Sequence, residues 1–138
     1  MNFKELTTTE QEHYIISNFM LAVKINKTLP RVGPKNSLGI YANVSDRSVW
    51  DDWYEGIDRR IYTREQWTIF ENVLFDWRNA FVKNKTISPI WKRLWIIFDD
   101  TYSIKQKERK LGIKKTYIYS NRDQGIEMIR QYLIRKEK

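Results

Sequence analysis

The chain has 138 residues, of which 30% are charged and none is cysteine, and its formal net charge is +8. A chain of this length buries roughly two thirds of the surface that it exposes when unfolded, so a hydrophobic core forms without a disulfide or a structural metal. No apolar run approaches the ~20 residues of a membrane span, and the first residues lack a signal-peptide pattern. We therefore expect no membrane association and a cytoplasmic location.

The positive charge is concentrated toward the C-terminus. Residues 1–82 hold 10 lysines and arginines against 11 aspartates and glutamates, whereas residues 83–138 hold 15 against 6. Within residues 102–122 there are seven basic residues and one acid, Glu108. A basic segment is usually just solvated surface, but around a helix-turn-helix pattern it is typical of a surface that binds phosphates.

The sequence predicts an all-α fold of about six helices, with a tryptophan-rich N-terminal part (residues 1–85) and a basic C-terminal part (residues 86–138) that share one core. Thr9 and Glu12 fit a capping box at the start of a first helix that runs to about Asn26. Its predicted apolar face carries Ile16, Phe19, Met20 and Val23. Prolines and glycines then predict a long loop over residues 28–47.

Three further helices are predicted in the middle of the chain. Ser48 begins a short helix with Trp50, Trp53 and Tyr54, and a second capping box starts at Thr63. Helical spacing behind Thr63 places six apolar residues on one face, namely Trp67, Phe70, Val73, Leu74, Trp77 and Phe81. Ser88 and Pro89 begin the most apolar helix, which ends at Asp99 and carries Trp91 and Trp95. We interpret Trp67, Trp77, Trp91 and Trp95 as core residues rather than platforms for stacking bases.

The C-terminal pattern predicts a helix-turn-helix followed by a long terminal helix. Ser103 caps a helix over residues 104–110, and Gly112 supplies the positive φ of the turn. The next helix spans residues 114–135, with Ile118, Ile126, Ile129 and Leu133 facing inward. In such a pair the second helix enters the DNA major groove.

Residues 102–134 resemble the helix-turn-helix of sigma-factor region 4 and of phage regulators of the RinA and ArpU types. The matching residues are Ser103, Ile104, Lys105, Gln106, Arg109, Leu111, Gly112, Ile113, Ile118, Tyr119, Arg122 and Asp123. The whole chain resembles, more loosely, tryptophan-rich prophage proteins with a Leu29-Pro30 segment, Trp50 and Trp77. The resemblance implies a phage-type transcription regulator that binds double-stranded DNA, in the cytoplasm of a bacterial host cell or associated with its nucleoid. It also implies that the protein forms homo-oligomers and contacts RNA polymerase or another protein.

The chain departs from that motif in its second helix. Lys107 and Glu108 stand where the motif has an apolar residue and alanine, and Lys110 replaces a usually apolar residue. Glu108 is costly to bury without a partner. The departures leave open a splayed helix pair, or a helix-turn-helix that binds protein instead of DNA.

The expected DNA contacts follow from position. Lys114, Lys115, Thr116, Tyr119 and Ser120 occupy the start of the second helix, where side chains reach base edges or phosphates. The backbone contacts are assigned to Lys105, Lys107, Arg109 and Lys110, while Arg122 either continues this face or pairs with Asp123 or another carboxylate.

Other functional classes have weaker support in the sequence. A lone histidine, His13, makes no metal cluster, and the chain lacks a phosphate-binding loop. The densest acid group is Asp51, Asp52, Glu55 and Asp58, which suits Mg²⁺ but more often favours a helix dipole. We expect no catalytic residue, no metal and no cofactor. The alternatives to a regulator are the small subunit of a phage terminase, which assembles as a ring, and a protein-binding adaptor.

Overall fold

A computed structural model describes residues 2–28, 62–82 and 88–137. These residues are 82% helical and contain no strand, which confirms the all-α class for them. They form a short 3-10 helix (Phe3–Glu5) and five α-helices: α1 (Thr8–Thr28), α2 (Arg64–Glu71), α3 (Ser88–Ile97), α4 (Ile104–Leu111) and α5 (Lys115–Lys136). None of these described helices combines the length and the apolar character that crossing a membrane requires. The predicted helix at Trp50 and nearly all of the predicted loop lie outside the described residues.

Helix α1 begins two residues earlier than predicted. The Thr7 hydroxyl accepts the amide of Glu10 at 3.1 Å, and the Glu10 carboxylate accepts the amide of Thr7 at 2.9 Å. The capping box at Thr9 was therefore wrong, because the Thr-x-x-Glu pattern occurs twice in succession and the first copy is used.

The buried stripe of α1 is also rotated relative to the predicted face. Phe19 and Val23 are buried as expected, together with Ile15, whereas Ile16 and Met20 are only half-buried. Both differences follow from tertiary contacts that a single helix does not determine.

The helix predicted behind Thr63 changes its geometry along its length. The Thr63–Gln66 capping box is present, as predicted. The α-helical turns of α2 continue as a π-helical segment (Asn72–Asp76) and a 3-10 turn (Trp77–Ala80). All six apolar residues predicted for this face are buried.

Aromatic side chains from α1 and α3 form the centre of the core. The Phe19 ring lies 5.4 Å from Trp91, 5.1 Å from Trp95 and 4.8 Å from Phe98 between ring centroids. Buried residues of α1, α2, α3 and α5 belong to one hydrophobic cluster. Trp67, Trp77, Trp91 and Trp95 are each at most 5% exposed, which confirms their assignment to the core. The two other tryptophans, Trp50 and Trp53, lie outside the described residues.

The two ends of α5 are held differently. At its C-terminal end the Glu137 carboxylate accepts the amides of Phe3 at 2.6 Å and Lys4 at 3.1 Å. Asp76 there accepts hydrogen bonds from the Tyr132 hydroxyl and the Lys136 ammonium. The N-terminal end of α5 follows α4 and the turn that joins the two helices. This end carries the predicted DNA contacts.

Candidate nucleic-acid interface

Helix α4 and the turn after it have the predicted local structure. The Ser103 hydroxyl accepts the amide of Gln106 at 3.2 Å, and the Gln106 side chain accepts the amide of Ser103 at 2.8 Å. Gly112 ends the helix with a φ of 67°, and its amide donates to the carbonyl of Glu108 at 2.8 Å. Only glycine adopts this left-handed conformation without a steric cost, so the turn follows directly from the sequence.

Helix α4 lies on the core without burying any residue completely. Ile104, Leu111 and the following Ile113 are partly buried against the core cluster. Lys107 and Glu108, the two departures from the motif, are both half-buried. Burial lowers the pKa of the Lys107 ammonium, while the Asp99 and Asp100 carboxylates oppose that shift. Lys107 is therefore less available to a phosphate than the exposed lysines around it.

An ion pair between the exposed Lys27 and the buried Asp99 joins the end of α1 to the segment before α4. Asp99 is 3% exposed, and its carboxylate lies 3.0 Å from the Lys27 ammonium. It also accepts the Thr101 amide at 3.0 Å and the Thr101 hydroxyl at 2.6 Å. Burial alone would raise the pKa of Asp99, but the hydrogen bonds from Thr101 and Lys27 outweigh it and lower the pKa. These contacts fix the start of the helix pair to the core.

Tyr102 lies between two lysines from different parts of the chain. Lys27 of α1 is 5.1 Å from the ring centroid, and Lys110 of α4 is 4.6 Å from it. Both distances are within the range of a cation–π contact. Sequence reasoning missed Lys27, because no local pattern links residue 27 to residue 102.

Most of the predicted DNA-binding residues are exposed together on this part of the molecule. The eight exposed ones are Lys105, Arg109, Lys110, Lys114, Lys115, Thr116, Tyr119 and Ser120, and the two half-buried ones are Lys107 and Arg122. Arg122 lies 3.5 Å from Asp123, one of the pairings that the sequence suggested. We call the eight exposed residues the turn surface.

Tyr117 is a further residue of this region that the sequence prediction omitted. It is 62% exposed, and Tyr119 is 47% exposed, so both are large apolar rings in solvent. A signal for Tyr117 was available, because the inward prediction for Ile118 places its neighbour away from the core.

The start of α5 differs from the three helix starts that carry capping boxes. Its N-cap residue is Lys114, which makes no side-chain capping hydrogen bond. The Tyr117 amide donates to the Lys114 carbonyl at 2.9 Å, whereas the amides of Lys115 and Thr116 have no acceptor within the helix. These first amides carry the positive end of the helix dipole. Together with Lys114 and Lys115, they make this end of the helix attractive to an anion.

Comparison of the chain with protein-family profiles, curated proteins and solved structures found no match. Within the described ranges, no group of three or more histidine, aspartate or glutamate side chains is placed to hold a metal ion. The acid group at Asp51, Asp52, Glu55 and Asp58 lies outside those ranges.

Proposed function

We propose that this protein binds double-stranded DNA through the turn surface and acts as a transcription regulator of the phage type. The observation that carries the proposal is the group of exposed cations on that surface, Lys105, Arg109, Lys110, Lys114 and Lys115. None of the five forms an ion pair with another described residue. Cations that have no ion-pair partner and lie on one helix pair are better suited to bind a phosphate backbone than a neutral partner.

The acids near the helix pair are Asp99, Asp100, Glu108 and Asp123, and Asp99 is buried in its contact with Lys27. Glu108 is half-buried, and Asp123 is paired with Arg122. At the start of α5, Lys114 and Lys115 form no ion pair with another described residue. The uncapped helix end adds to their positive charge, since its free amides attract the same anions.

Three local features of the helix pair support the proposed helix-turn-helix. A capped α4, a left-handed glycine and an exposed N-terminal turn on α5 are the parts that place a recognition helix against DNA. The sequence resemblance to phage regulators supports the same function. We extend the proposal to a homodimer, because paired half-sites are the usual way in which such a module gains affinity.

Binding of a mixed-sequence duplex, followed by fluorescence anisotropy at low salt, tests the proposal. We expect Lys114→Glu combined with Lys115→Glu to abolish binding, because four units of charge change at the centre of the turn surface. The far-UV circular dichroism stays at the wild-type value, since both side chains are exposed. The melting temperature does not fall, because acids at a helix N-terminus are stabilising.

The matched control carries the same charge change elsewhere. Lys4→Glu with Arg64→Glu alters two exposed cations outside the turn surface, and we expect it to lower affinity only a little. Equal loss in both double variants would show a non-specific effect of net charge and would contradict the assignment of the site. A folded wild-type protein that binds no duplex at low salt would refute the proposed function.

A protein-binding adaptor is the second candidate. The observation that favours it is the polar character of α4, which buries no residue and carries Lys107 and Glu108 toward the core. The experiment above separates the two, because an adaptor keeps its fold and its melting temperature without binding DNA. The mass of the assembly addresses the remaining alternative: a dimer fits a regulator, whereas a ring of many copies fits a terminase small subunit.

A further inference from the structure

The first two turns of α5 carry an ordered arrangement of side chains around the helix. At about 100° per residue, Thr116 and Ser120 lie about 40° apart and form one outward ridge. Ile118 lies opposite that ridge and is only 1% exposed, so the ridge points directly away from the core. This orientation follows from the observed burial and from helix geometry together.

Tyr117 and Tyr119 flank this ridge on both sides. Each lies about 80° from the middle of the ridge, one to the left and one to the right. They are the two most exposed aromatic side chains in the described part of the chain, at 62% and 47%. Lys115 adds a cation beside one of them, with its ammonium 5.8 Å from the Tyr119 ring centroid.

The dimensions of this arrangement match those of a DNA groove. A helix with its side chains is about 10–12 Å across, and the major groove of B-DNA is about 12 Å wide. With the ridge toward the base edges, side chains at about 80° on either side meet the two walls, where the phosphates lie. A tyrosine hydroxyl donates a hydrogen bond, and a phosphate oxygen accepts it.

We propose that Tyr117 and Tyr119 donate hydrogen bonds to backbone phosphates on opposite strands of the major groove. The two tyrosines thereby align α5 so that Thr116 and Ser120 face the base edges. This inference rests on the proposed function and names the ligand more closely, as a B-form duplex. The deep and narrow major groove of an A-form RNA duplex does not admit the helix.

The alternative use of exposed tyrosines is stacking on unpaired bases, as in proteins that bind single strands. The structure favours the groove walls, because the two rings lie on opposite sides of the helix and no single strand of stacked bases reaches both faces. The two modes depend on different parts of the side chain. Stacking needs the ring, whereas the phosphate contact needs the hydroxyl.

Tyrosine-to-phenylalanine variants test the inference. Tyr117→Phe and Tyr119→Phe each remove one hydroxyl, and we expect each to weaken duplex binding about five- to tenfold. The loss is the same for every DNA sequence, because phosphates carry no base identity. The two losses multiply in the double variant, since the side chains contact different strands.

Tyr14→Phe is the matched control, because Tyr14 is 46% exposed and lies against Trp77 and Phe3, near the opposite end of α5. We expect it to leave affinity unchanged. Duplex binding by the wild type that is unaffected by either phenylalanine variant would overturn the inference and leave the proposed function standing. A preference for single-stranded DNA or equal affinity for duplex RNA would also overturn it. Absence of all binding by the wild type would instead refute the proposed function itself.

Discussion

Gly125 lies where α5 passes close to α3, and replacing it with alanine tests the packing that holds the predicted recognition helix. A Cβ atom at Gly125 would lie 2.8 Å from both Leu94 Cδ1 and Leu94 Cδ2, and 3.2 Å from Leu94 Cγ. Ordinary contacts between carbon atoms are about 3.5–4.0 Å. Leu94 is fully buried, so its side chain must shift within the core to admit the new methyl group.

Two opposing effects set the size of the change in stability. Alanine gains about 1 kcal/mol over glycine in a helix interior. Overpacking a filled core costs about 1–3 kcal/mol. We therefore expect Gly125→Ala to lower the free energy of unfolding by about 1 kcal/mol, whereas an uncrowded helical site would show a gain.

The Leu94→Ala background gives the decisive comparison. On its own, Leu94→Ala removes the atoms that the new methyl group would meet, and it costs about 2–5 kcal/mol. In that background Gly125→Ala adds its methyl to a cavity, so we expect it to stabilise by about 1 kcal/mol. The sign of the Gly125→Ala effect thus reverses between the two backgrounds, which corresponds to a coupling of about 2 kcal/mol.

Urea denaturation followed by tryptophan fluorescence and far-UV circular dichroism measures all four proteins of this cycle. Gln124→Ala, at the exposed neighbouring position, is the control and is expected to change stability by less than about 0.5 kcal/mol. Stabilisation by Gly125→Ala of the same size in both backgrounds would refute the close contact between α3 and α5.

Three further predictions concern the turn, the ion pair between Lys27 and Asp99, and the core. Gly112→Ala places a side chain at a φ of 67°, where no neighbouring atom lies within 4 Å of the new Cβ. Thermal melting should therefore show a loss of about 1–2 kcal/mol in stability that comes from the backbone conformation alone. Gly112→Asn should lose less, because asparagine tolerates the left-handed region better than alanine does. Because the pKa of Asp99 is lowered in the folded state, its contribution to stability is present above about pH 4 and is lost as the pH falls through the lowered value. In a plot of the free energy of unfolding against pH, Asp99→Asn should therefore reduce the loss of stability at acid pH. An unchanged acid side of that plot would contradict the ion pair. Trp77→Ala, at 3% exposure, should cost about 3–5 kcal/mol in urea denaturation, and a negligible change would show that the ring is not in the core.

The sequence predicted those features that depend on neighbouring residues. The Ser103 and Thr63 capping boxes, the left-handed Gly112 and the buried face from Trp67 to Phe81 are all present. Each of these depends on side chains within one or two helical turns, so a short pattern contains the whole physical cause.

Features that depend on distant residues were not predictable in this way. The choice of Thr7 over Thr9 was ambiguous, because two copies of one pattern overlap and tertiary packing selects between them. The contact of Lys27 with Tyr102 and the crowding of Gly125 by Leu94 join residues far apart in the chain. For the candidate site, the exposed lysines were identified correctly as surface residues, while their binding to DNA stays a prediction.

The dependence of duplex affinity on salt tests the central claim most directly. If the five exposed cations of the turn surface neutralise phosphates, the logarithm of the association constant falls linearly with the logarithm of salt concentration, with a slope of about −4 to −5 for the monomer footprint. Lys115→Gln should reduce the magnitude of that slope by about 1. A slope near zero, or one that Lys115→Gln leaves unchanged, would show that the turn surface does not bind the DNA backbone.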